Sequence, residues 1–290
     1  CMTLDPDILR SWTPRLLAGW VVLLLAAELL RPLRRPTRRR RGRYLLNVVA
    51  IGLALGVAAV TLAPGAEATL AWARAHEIGL LHAVTLPPPL GLIAAALLLD
   101  LSFYYWHRLN HAVPWLWRFH NVHHIDPDLD VTTSFRFHVG EIAYSTGFRV
   151  VQIVVIGPSL TAFLLYEGVF LAATLFHHSN TQVPLAAERA LNRLVVTPRM
   201  HGIHHSVIRD ETNSNYGVVF TVWDRLHRSL RLNVPQADID IGVAGYTRAD
   251  DNSLRALLAL PFERQRPYWC RPDGTPSTQR AGTPDERRSR

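Results

Sequence analysis

Long apolar runs constrain the fold of this 290-residue chain more than any other feature. The runs at 16–30, 44–63 and 88–106 carry few charges, and a helix needs about 20 apolar residues to cross the hydrocarbon core of a bilayer. Only helices and closed barrels satisfy their backbone polar groups there. Charged residues make up 19% of the chain, below the usual share in soluble domains. The sequence therefore predicts an all-α integral membrane protein.

Two further segments predict membrane association of other kinds. The stretch 67–84 mixes charged and apolar residues, which is typical of a helix that lies in the membrane interface. The apolar stretch 142–176 is interrupted by Gly157-Pro158, and proline breaks a helix because it lacks an N–H and clashes with the preceding turn. We therefore expect three transmembrane helices, the first a retained anchor, plus a membrane-inserted helical hairpin at 142–176.

The distribution of arginine predicts the orientation of these helices. The chain has no lysine, and its net charge of +8 comes mainly from the loop 31–43 and the C-terminal tail. Loops rich in positive charge stay in the cytoplasm, and alternation then places 107–141 and 177–290 on the cytoplasmic side, as a helical cap. The arginine- and alanine-rich composition is typical of a bacterial genome, so we expect the inner membrane. Because the loop adjoins apolar runs, we expect a membrane and no nucleic acid as partner.

Histidines form the second strong pattern. The chain has 14, and 12 of them lie between residues 107 and 227. They form H-x-x-x-H at 107–111, H-x-x-H-H at 120–124 and again at 201–205, and a pair at 177–178 that ends the hairpin. Residues three or four apart share a helix face. Imidazoles at these spacings can therefore converge on one metal ion.

The number of histidines predicts more than one ion. The three motifs supply eight imidazoles and His178 could add a ninth, which exceeds what one tetrahedral or octahedral ion binds. Imidazole suits iron, zinc and copper alike, so spacing alone leaves the metal open. A structural zinc site is the alternative interpretation, although such sites normally close with four ligands. His76, His82 and His227 are isolated, and we expect them at the interface or surface.

Asp100 and Glu167 are carboxylates within the apolar segments. Asp100 precedes His107 by seven residues, about two helical turns, so both share one face with Tyr104. A carboxylate inside a membrane helix is costly and indicates a function. We expect Asp100 to accept a hydrogen bond from a ligand imidazole. Glu167 could do the same or pair with an arginine.

Between residues 100 and 230 the chain resembles the fatty acid hydroxylase / sterol desaturase superfamily of membrane di-iron proteins. The resemblance rests on D-x-x-x-Y-x-x-H-R-x-x-H from Asp100, HNVHH, RFH followed by Glu141, HSN, TPRMHGIHH, NYG and WDRL, in this order and spacing. The chain departs from two motifs that are common in the family. Where the family has HPLE, this chain has HVGE at 138–141, and where the family has WDRLFGT, it has WDRLHRS at 223–229. Neither departure removes an expected ligand.

The resemblance implies a cytoplasm-facing centre of two iron ions, held by histidines over a membrane helix bundle. Carried over position by position, the metal ligands and catalytic residues would be His107, His111, His120, His123, His124, His178, His201, His204 and His205. Supporting residues would be Asp100, His138, His177, Glu141 and Asn180, and the resemblance leaves open whether His138 and His177 also bind metal.

The resemblance also implies an O2-dependent oxidoreductase that hydroxylates or desaturates a lipid, either fatty acyl, sterol-like or another isoprenoid. The alternative is a non-catalytic, zinc-binding membrane protein. No flavin or nicotinamide fingerprint is evident, so electrons would come from a separate reductase or carrier.

Three regions follow from these patterns. They are an N-terminal transmembrane region at 1–106, a fatty acid hydroxylase-like catalytic region at 107–235, and a cytoplasmic extension at 236–290. The segment after Glu263 is rich in Pro, Arg, Ser, Thr and Gly, and we expect it to be disordered. Cys1 and Cys270 predict neither a disulfide framework nor a metal site.

Overall fold

The computed structural model describes residues 5–36 and 40–280. Its α-helices are α1 (Pro6–Leu30), α2 (Arg40–Val60), α3 (Leu62–Ala75), α4 (Pro88–Ala112), α5 (Pro114–His124), α6 (Val139–Ile156), α7 (Leu160–His178), α8 (Leu185–Leu191), α9 (Pro198–His204), α10 (Arg209–Thr212), α11 (Val222–Leu226) and α12 (Leu254–Ala259). Short 3-10 helices lie at Val131–Phe135, Gln236–Asp238, Ala249–Asn252 and Leu260–Phe262. Cys1, part of the arginine-rich loop and the tail 281–290 lie outside the described residues.

Five stretches of the described chain are long and apolar enough to cross a membrane. They are Pro6–Leu30, Gly42–Ala75, Pro88–Ala112, Val139–Ile156 and Leu160–His178. The chain is thus all-helical where it is described, and it is a multi-pass membrane protein. The three predicted spans correspond to the first three stretches. Both arms of the predicted hairpin are themselves candidate spans.

The predicted break at Gly157-Pro158 is confirmed. Helix α6 ends at Ile156, and Gly157 takes a left-handed conformation with φ of 65°, which glycine adopts without steric cost. The loop before α4 closes over this turn. Leu80 N–H donates to the Val155 carbonyl at 2.9 Å and Leu81 N–H to the Ile156 carbonyl at 2.9 Å, so the free carbonyls at the end of α6 are satisfied.

The predicted interfacial helix at 67–84 is wrong in its bounds. The helix begins at Leu62 and ends at Ala75, and together with α2 it forms one candidate span. Its residues Ala66, Leu70 and Ala73 are spaced to form one apolar face, which packs against Ile153 of α6 and Phe163 of α7. Burial of this face holds α3 against the bundle, while Glu67 and Arg74 on its other side are exposed.

One end of the bundle gathers the segments that carry the histidines. Helices α1, α4 and α7 end there, and α2 and α6 begin there. The loop after α1 joins the segment after α7, since Leu33 N–H donates to the Asn180 carbonyl at 2.7 Å and Gln182 N–H to the Arg31 carbonyl at 2.9 Å. The described part of the arginine-rich loop therefore lies at the same end as the histidines.

A buried ion pair fixes α2 against the segment that follows α5. Arg43 donates to both carboxylate oxygens of Asp126, with Nε to Oδ1 at 2.6 Å and Nη2 to Oδ2 at 2.8 Å, and also to Asp130. Asn47 adds a bond of 3.1 Å to Asp126. Bidentate arginine–carboxylate pairs are geometrically demanding, so this network sets where the chain leaves α5, two residues after His124.

The C-terminal segment is packed through Arg280, where we expected disorder from Glu263 onward. Arg280 pairs with the buried Glu211, with Nε to Oε1 at 2.9 Å, and Ser277 N–H donates to the Trp269 carbonyl at 2.9 Å. Tyr268 and Trp269 pack against a core cluster that includes Trp117. Aromatic burial and these polar contacts order a segment whose composition alone predicted disorder.

Candidate metal centre

Nine histidines converge in two adjacent groups at the loop-bearing end of the bundle. The first group is His107, His111, His120, His124 and His204; the second is His123, His178, His201 and His205. Within each group the nearest side-chain nitrogens all lie within 4.8 Å of one another. These are the nine histidines that we predicted as metal ligands.

Helical spacing explains how two similar motifs serve both groups. On α5, His120 and His124 are four residues apart and enter the first group, while His123 enters the second. On α9 the assignment is reversed, because His201 and His205 enter the second group and His204 the first. Each H-x-x-H-H motif therefore contributes two imidazoles to one group and one to the other.

Four imidazoles are held by hydrogen bonds from Nδ1. His107 bonds the Tyr216 carbonyl at 2.9 Å and His204 the Ser214 carbonyl at 2.7 Å. His178 bonds the Thr174 carbonyl at 2.8 Å and His120 the Glu141 carboxylate at 2.8 Å. These oxygens can only accept, so Nδ1 carries the proton and Nε2 keeps a free lone pair. Metal-binding histidines are typically oriented in this way.

Unpaired buried nitrogens show that the site fits a metal ion. In the first group, Nε2 of His120 and of His204 and both ring nitrogens of His111 and His124 are buried without a hydrogen-bond partner among the described residues. Buried polar atoms are normally paired. A cation bound at these lone pairs would remove the cost of leaving them unsatisfied.

The spacing of the second group also fits. Its Nε2 atoms lie 3.0 Å apart for His123 and His178, 3.1 Å for His178 and His201, and 3.2 Å for His201 and His205. Nitrogens that share one ion at about 2.1 Å are separated by about 3.0–3.4 Å in octahedral or tetrahedral arrangements. The donor set is all imidazole, which suits iron, zinc or copper.

The electrostatics of the site favour the neutral, metal-binding form of imidazole. Burial, followed by repulsion from neighbouring imidazoles, holds the pKa values of His123, His124 and His205 well below the ordinary value. The same causes lower the pKa values of His201 and His204. Because a metal ion competes with protons for these nitrogens, the folded chain presents them ready to bind.

The prediction that Asp100 accepts a hydrogen bond from an imidazole is wrong. Its carboxylate is fully buried and accepts from Tyr166 Oη at 3.0 Å and Trp223 Nε1 at 2.8 Å, and from the backbone N–H groups of Val219 and Phe220 at 3.2 and 3.0 Å. These four donors use the hydrogen-bonding capacity of the carboxylate, and none of them is an imidazole. Asp100 thus anchors the segment 216–223, which supplies the Tyr216 carbonyl to His107.

Glu141 makes the imidazole contact that we expected of Asp100. The other expected supporting residues have different partners. His138 caps α6, with Nδ1 accepting from Gly140 N–H at 2.8 Å and Nε2 lying 3.1 Å from the Leu258 carbonyl. His177 bonds the Val218 carbonyl through Nδ1 at 3.1 Å, and its ring lies 4.1 Å from that of His201. Glu167 pairs with Arg149 at 2.7 Å.

Asn180 supports the site through the backbone of the loop after α1. Its Oδ1 accepts from Arg34 N–H at 2.9 Å and its Nδ2 donates to the Arg34 carbonyl at 2.8 Å. Its own N–H donates at 2.6 Å to Glu28, which also accepts from Val131 N–H at 2.9 Å. Glu28 therefore ties the segment after α7 to the segment after α5.

Sequence reasoning missed two aromatic residues that enclose the first group. The Tyr216 ring lies 5.8, 5.3 and 5.8 Å from the rings of His107, His111 and His204. Trp117 lies 4.8 Å from His111 and 5.2 Å from His124. Trp117 precedes His124 by seven residues on α5, about two turns, so its place on the histidine face could have been read from spacing.

Comparison with known proteins agrees with this geometry. The sequence model of the fatty acid hydroxylase family matches residues 92–229. The chain is 26% identical over 268 residues to ornithine lipid hydroxylase OlsE of Rhizobium tropici, covering 89% of this chain and 78% of that protein. It is 30% identical over 137 residues to cholesterol 25-hydroxylase of Homo sapiens, covering 47% of this chain and 49% of that protein.

Alkylglycerol monooxygenase of Homo sapiens is 31% identical over 133 residues, which cover 46% of this chain and 29% of that protein. The chain thus spans about half of the cholesterol hydroxylase and less of the alkylglycerol enzyme. No solved structure matches. The matched region contains all nine histidines of the two groups, and over this region the chain is similar to the fatty acid hydroxylase family.

Proposed function

We propose that this chain is an O2-dependent membrane oxidoreductase of the non-haem di-iron type that hydroxylates a lipid. The two groups of five and four histidines carry the proposal, because each supplies enough nitrogens for one ion. The named relatives act as hydroxylases or monooxygenases on an ornithine lipid, a sterol and an alkylglycerol. Lipid substrates are what they share, and their names favour hydroxylation over desaturation.

The nine histidines would hold two iron ions, with His107, His111, His120, His124 and His204 around one and His123, His178, His201 and His205 around the other. A bound pair of irons would supply the chemistry by which O2 oxidises an unreactive C–H bond, with electrons from an external donor. Glu141 and the carbonyls of Tyr216, Thr174 and Ser214 orient the imidazoles. Asp100 fixes the segment that carries the Tyr216 carbonyl.

A lipid hydroxylase needs a site that excludes water and admits lipid from the bilayer. His124, His204 and His205 have no exposed surface, and buried aromatic rings cover the first group. Helices α4, α6 and α7 lead into the site from the apolar bundle, so a lipid can approach laterally from the bilayer. Exclusion of water protects reactive species from side reactions.

We further propose a location in a bacterial inner membrane, with the site on the cytoplasmic side. The described arginines of the loop 31–43 lie at the same end of the bundle as the histidines, and positively charged loops remain cytoplasmic. A soluble one-electron carrier or a separate reductase would then reach the site from the cytoplasm.

Metal analysis combined with O2 consumption tests the proposal. We expect purified protein to hold two irons per chain and to consume O2 when a reductant and host lipids are added together. The His204→Ala variant should consume none, while His76→Ala, altered at an exposed histidine outside both groups, should match the wild type. Protein that holds only zinc and never consumes O2 would support the non-catalytic alternative and overturn the proposal.

A further inference from the structure

A pair of stacked tryptophans connects the first histidine group to the protein surface. Trp117 is buried and its ring lies 4.8 Å from that of His111 and 5.2 Å from that of His124. Trp269 stacks on Trp117 with ring centroids 5.8 Å apart and an angle of 29° between the planes. Trp269 is only half-buried. The two rings therefore connect the first group to a half-buried indole at the protein surface.

The partner of Trp117 is held firmly. The N–H of Ser277 donates to the Trp269 carbonyl at 2.9 Å, and the N–H of Gly245 donates to the Tyr268 carbonyl at 2.9 Å. Trp269 lies in the C-terminal segment, outside the family-matched region 92–229. The contact between Trp117 and Trp269 therefore depends on a C-terminal residue that lies outside the region matched by the family model.

The chemistry of Trp117 indicates more than packing. Its indole Nε1 is buried without a hydrogen-bond partner among the described residues, and an unpaired buried donor destabilises the fold. A phenylalanine would fill much of this space without that cost. The indole adds a larger π-system, which couples electronically to rings at van der Waals distance.

We propose that Trp117 and Trp269 form the path by which electrons enter the metal centre. This inference rests on the proposed function, which needs electrons from an external donor. Electron transfer through protein slows steeply with the gap between donor and acceptor, and packed aromatic rings shorten that gap. In each transfer a one-electron carrier at the surface loses one electron and the metal centre gains one, with no bond formed or broken. Hydroxylation with one O2 needs two such transfers.

A second aromatic route makes a comparison possible. Tyr216 contacts the same histidine group, Tyr104 lies 6.1 Å from Tyr216, and His227 stacks on Tyr104 at 4.7 Å. This route needs three rings, and its Tyr216–Tyr104 contact is edge-on at 87°. The tryptophan route needs two rings and is stacked at its outer step, so it is the shorter of these two routes to the first group.

The chain carries a native attachment point for the test. Cys270 is a free thiol next to Trp269. In the iron-loaded chain of 290 residues with Cys1→Ser, a thiol-reactive ruthenium photoreductant is attached to Cys270. A light flash then injects one electron, and the loss of the ferric absorbance reports its arrival. The comparison protein carries Leu226→Cys with Cys1→Ser and Cys270→Ser, which places the probe at an exposed position beside the other route.

We expect Trp269→Leu and Trp117→Leu to slow electron arrival from Cys270 several-fold and to leave arrival from position 226 unchanged. Trp269→Phe, which retains a ring, should lie near the wild type. Equal rates in all variants from Cys270, or slowing from both positions, would overturn the path. If Trp117→Leu loses iron, Trp269→Leu still decides, since that residue touches none of the histidines in the described contacts. Wild-type protein without iron would instead refute the proposed function.

Discussion

Nδ1 of His120 lies 2.8 Å from Oε1 of Glu141, and both side chains are buried. A carboxylate can only accept, so the imidazole carries its proton on Nδ1 and directs a free lone pair from Nε2 towards the first histidine group. His120 lies on α5 and Glu141 in the first turn of α6. The contact therefore couples the position of a proposed ligand to a membrane helix.

Removal of the Glu141 carboxylate should weaken metal binding without removing a ligand. We expect Glu141→Ala to lower affinity for the first ion by about 10–100-fold, because residues that orient ligand imidazoles typically contribute that much. Competition with a chelator measures this affinity. Glu67→Gln, altered at an exposed carboxylate, is the control. Wild-type affinity in Glu141→Ala would show that the contact does not orient His120.

The two histidine groups should respond separately to substitution. His204→Ala removes a nitrogen from the first group and His123→Ala from the second, so each variant should lose mainly the ion of its own group. Lipid oxidation should be abolished in both, and both should remain in the membrane fraction. Elemental analysis of purified protein checks the metal content. Full metal content in either variant would remove that histidine from the ligand set.

Asp100 should affect the site through the backbone that it anchors. Asp100→Ala leaves four donors without their acceptor, and each unsatisfied buried donor costs about 1–3 kcal/mol. We expect a clear fall in thermal stability in detergent and weaker metal retention, with Asp100→Asn less affected because one acceptor oxygen remains. If Asp100→Ala melts at the wild-type temperature and retains metal, the carboxylate does not anchor the segment 216–223.

Stability of the metal-free protein should depend on pH in a defined direction. Burial, and then repulsion between neighbouring imidazoles, holds the pKa values of His123, His124 and His204 well below their ordinary value. The unfolded chain protonates its histidines near pH 6.5, at about their ordinary pKa, while the folded groups stay neutral. The unfolded state then binds more protons, so stability falls as pH drops below that value.

Melting temperatures of metal-free protein between about pH 7.5 and 5.5 test this dependence on the histidine pKa values. The wild type should lose stability towards the acid end, and the triple variant with His123, His124 and His204 changed to alanine should show a flatter profile. Identical pH profiles would mean that these imidazoles are not held neutral by the fold.

The sequence predicted which histidines lie close together, because their signal is local. Helical periodicity alone brings His107 and His111, or His201 and His205, onto one face. The division of each H-x-x-H-H motif between two groups depends on how α5 and α9 face each other. That relationship is tertiary, so the spacing gave the number of imidazoles but not their grouping.

The errors come from contacts between segments that are distant in the chain. Asp100 shares a helix face with His107, but donors more than 60 residues away saturate its carboxylate. The helix expected at 67–84 instead runs from Leu62 to Ala75, and its apolar face packs against α6 and α7. The segment after Glu263 is ordered by Trp117 and Glu211. Composition reports none of these partners.

The most direct test of the account follows oxygen from isotopically labelled O2 into lipid. Membranes containing the wild-type chain, the His204→Ala variant or no chain are incubated with labelled O2 and a reductant, and their lipids are compared by mass spectrometry. The account predicts a lipid that gains one labelled oxygen atom only with the wild-type chain. If no lipid differs between wild type and His204→Ala, or if the added oxygen comes from water, the proposal of an O2-dependent lipid hydroxylase is contradicted.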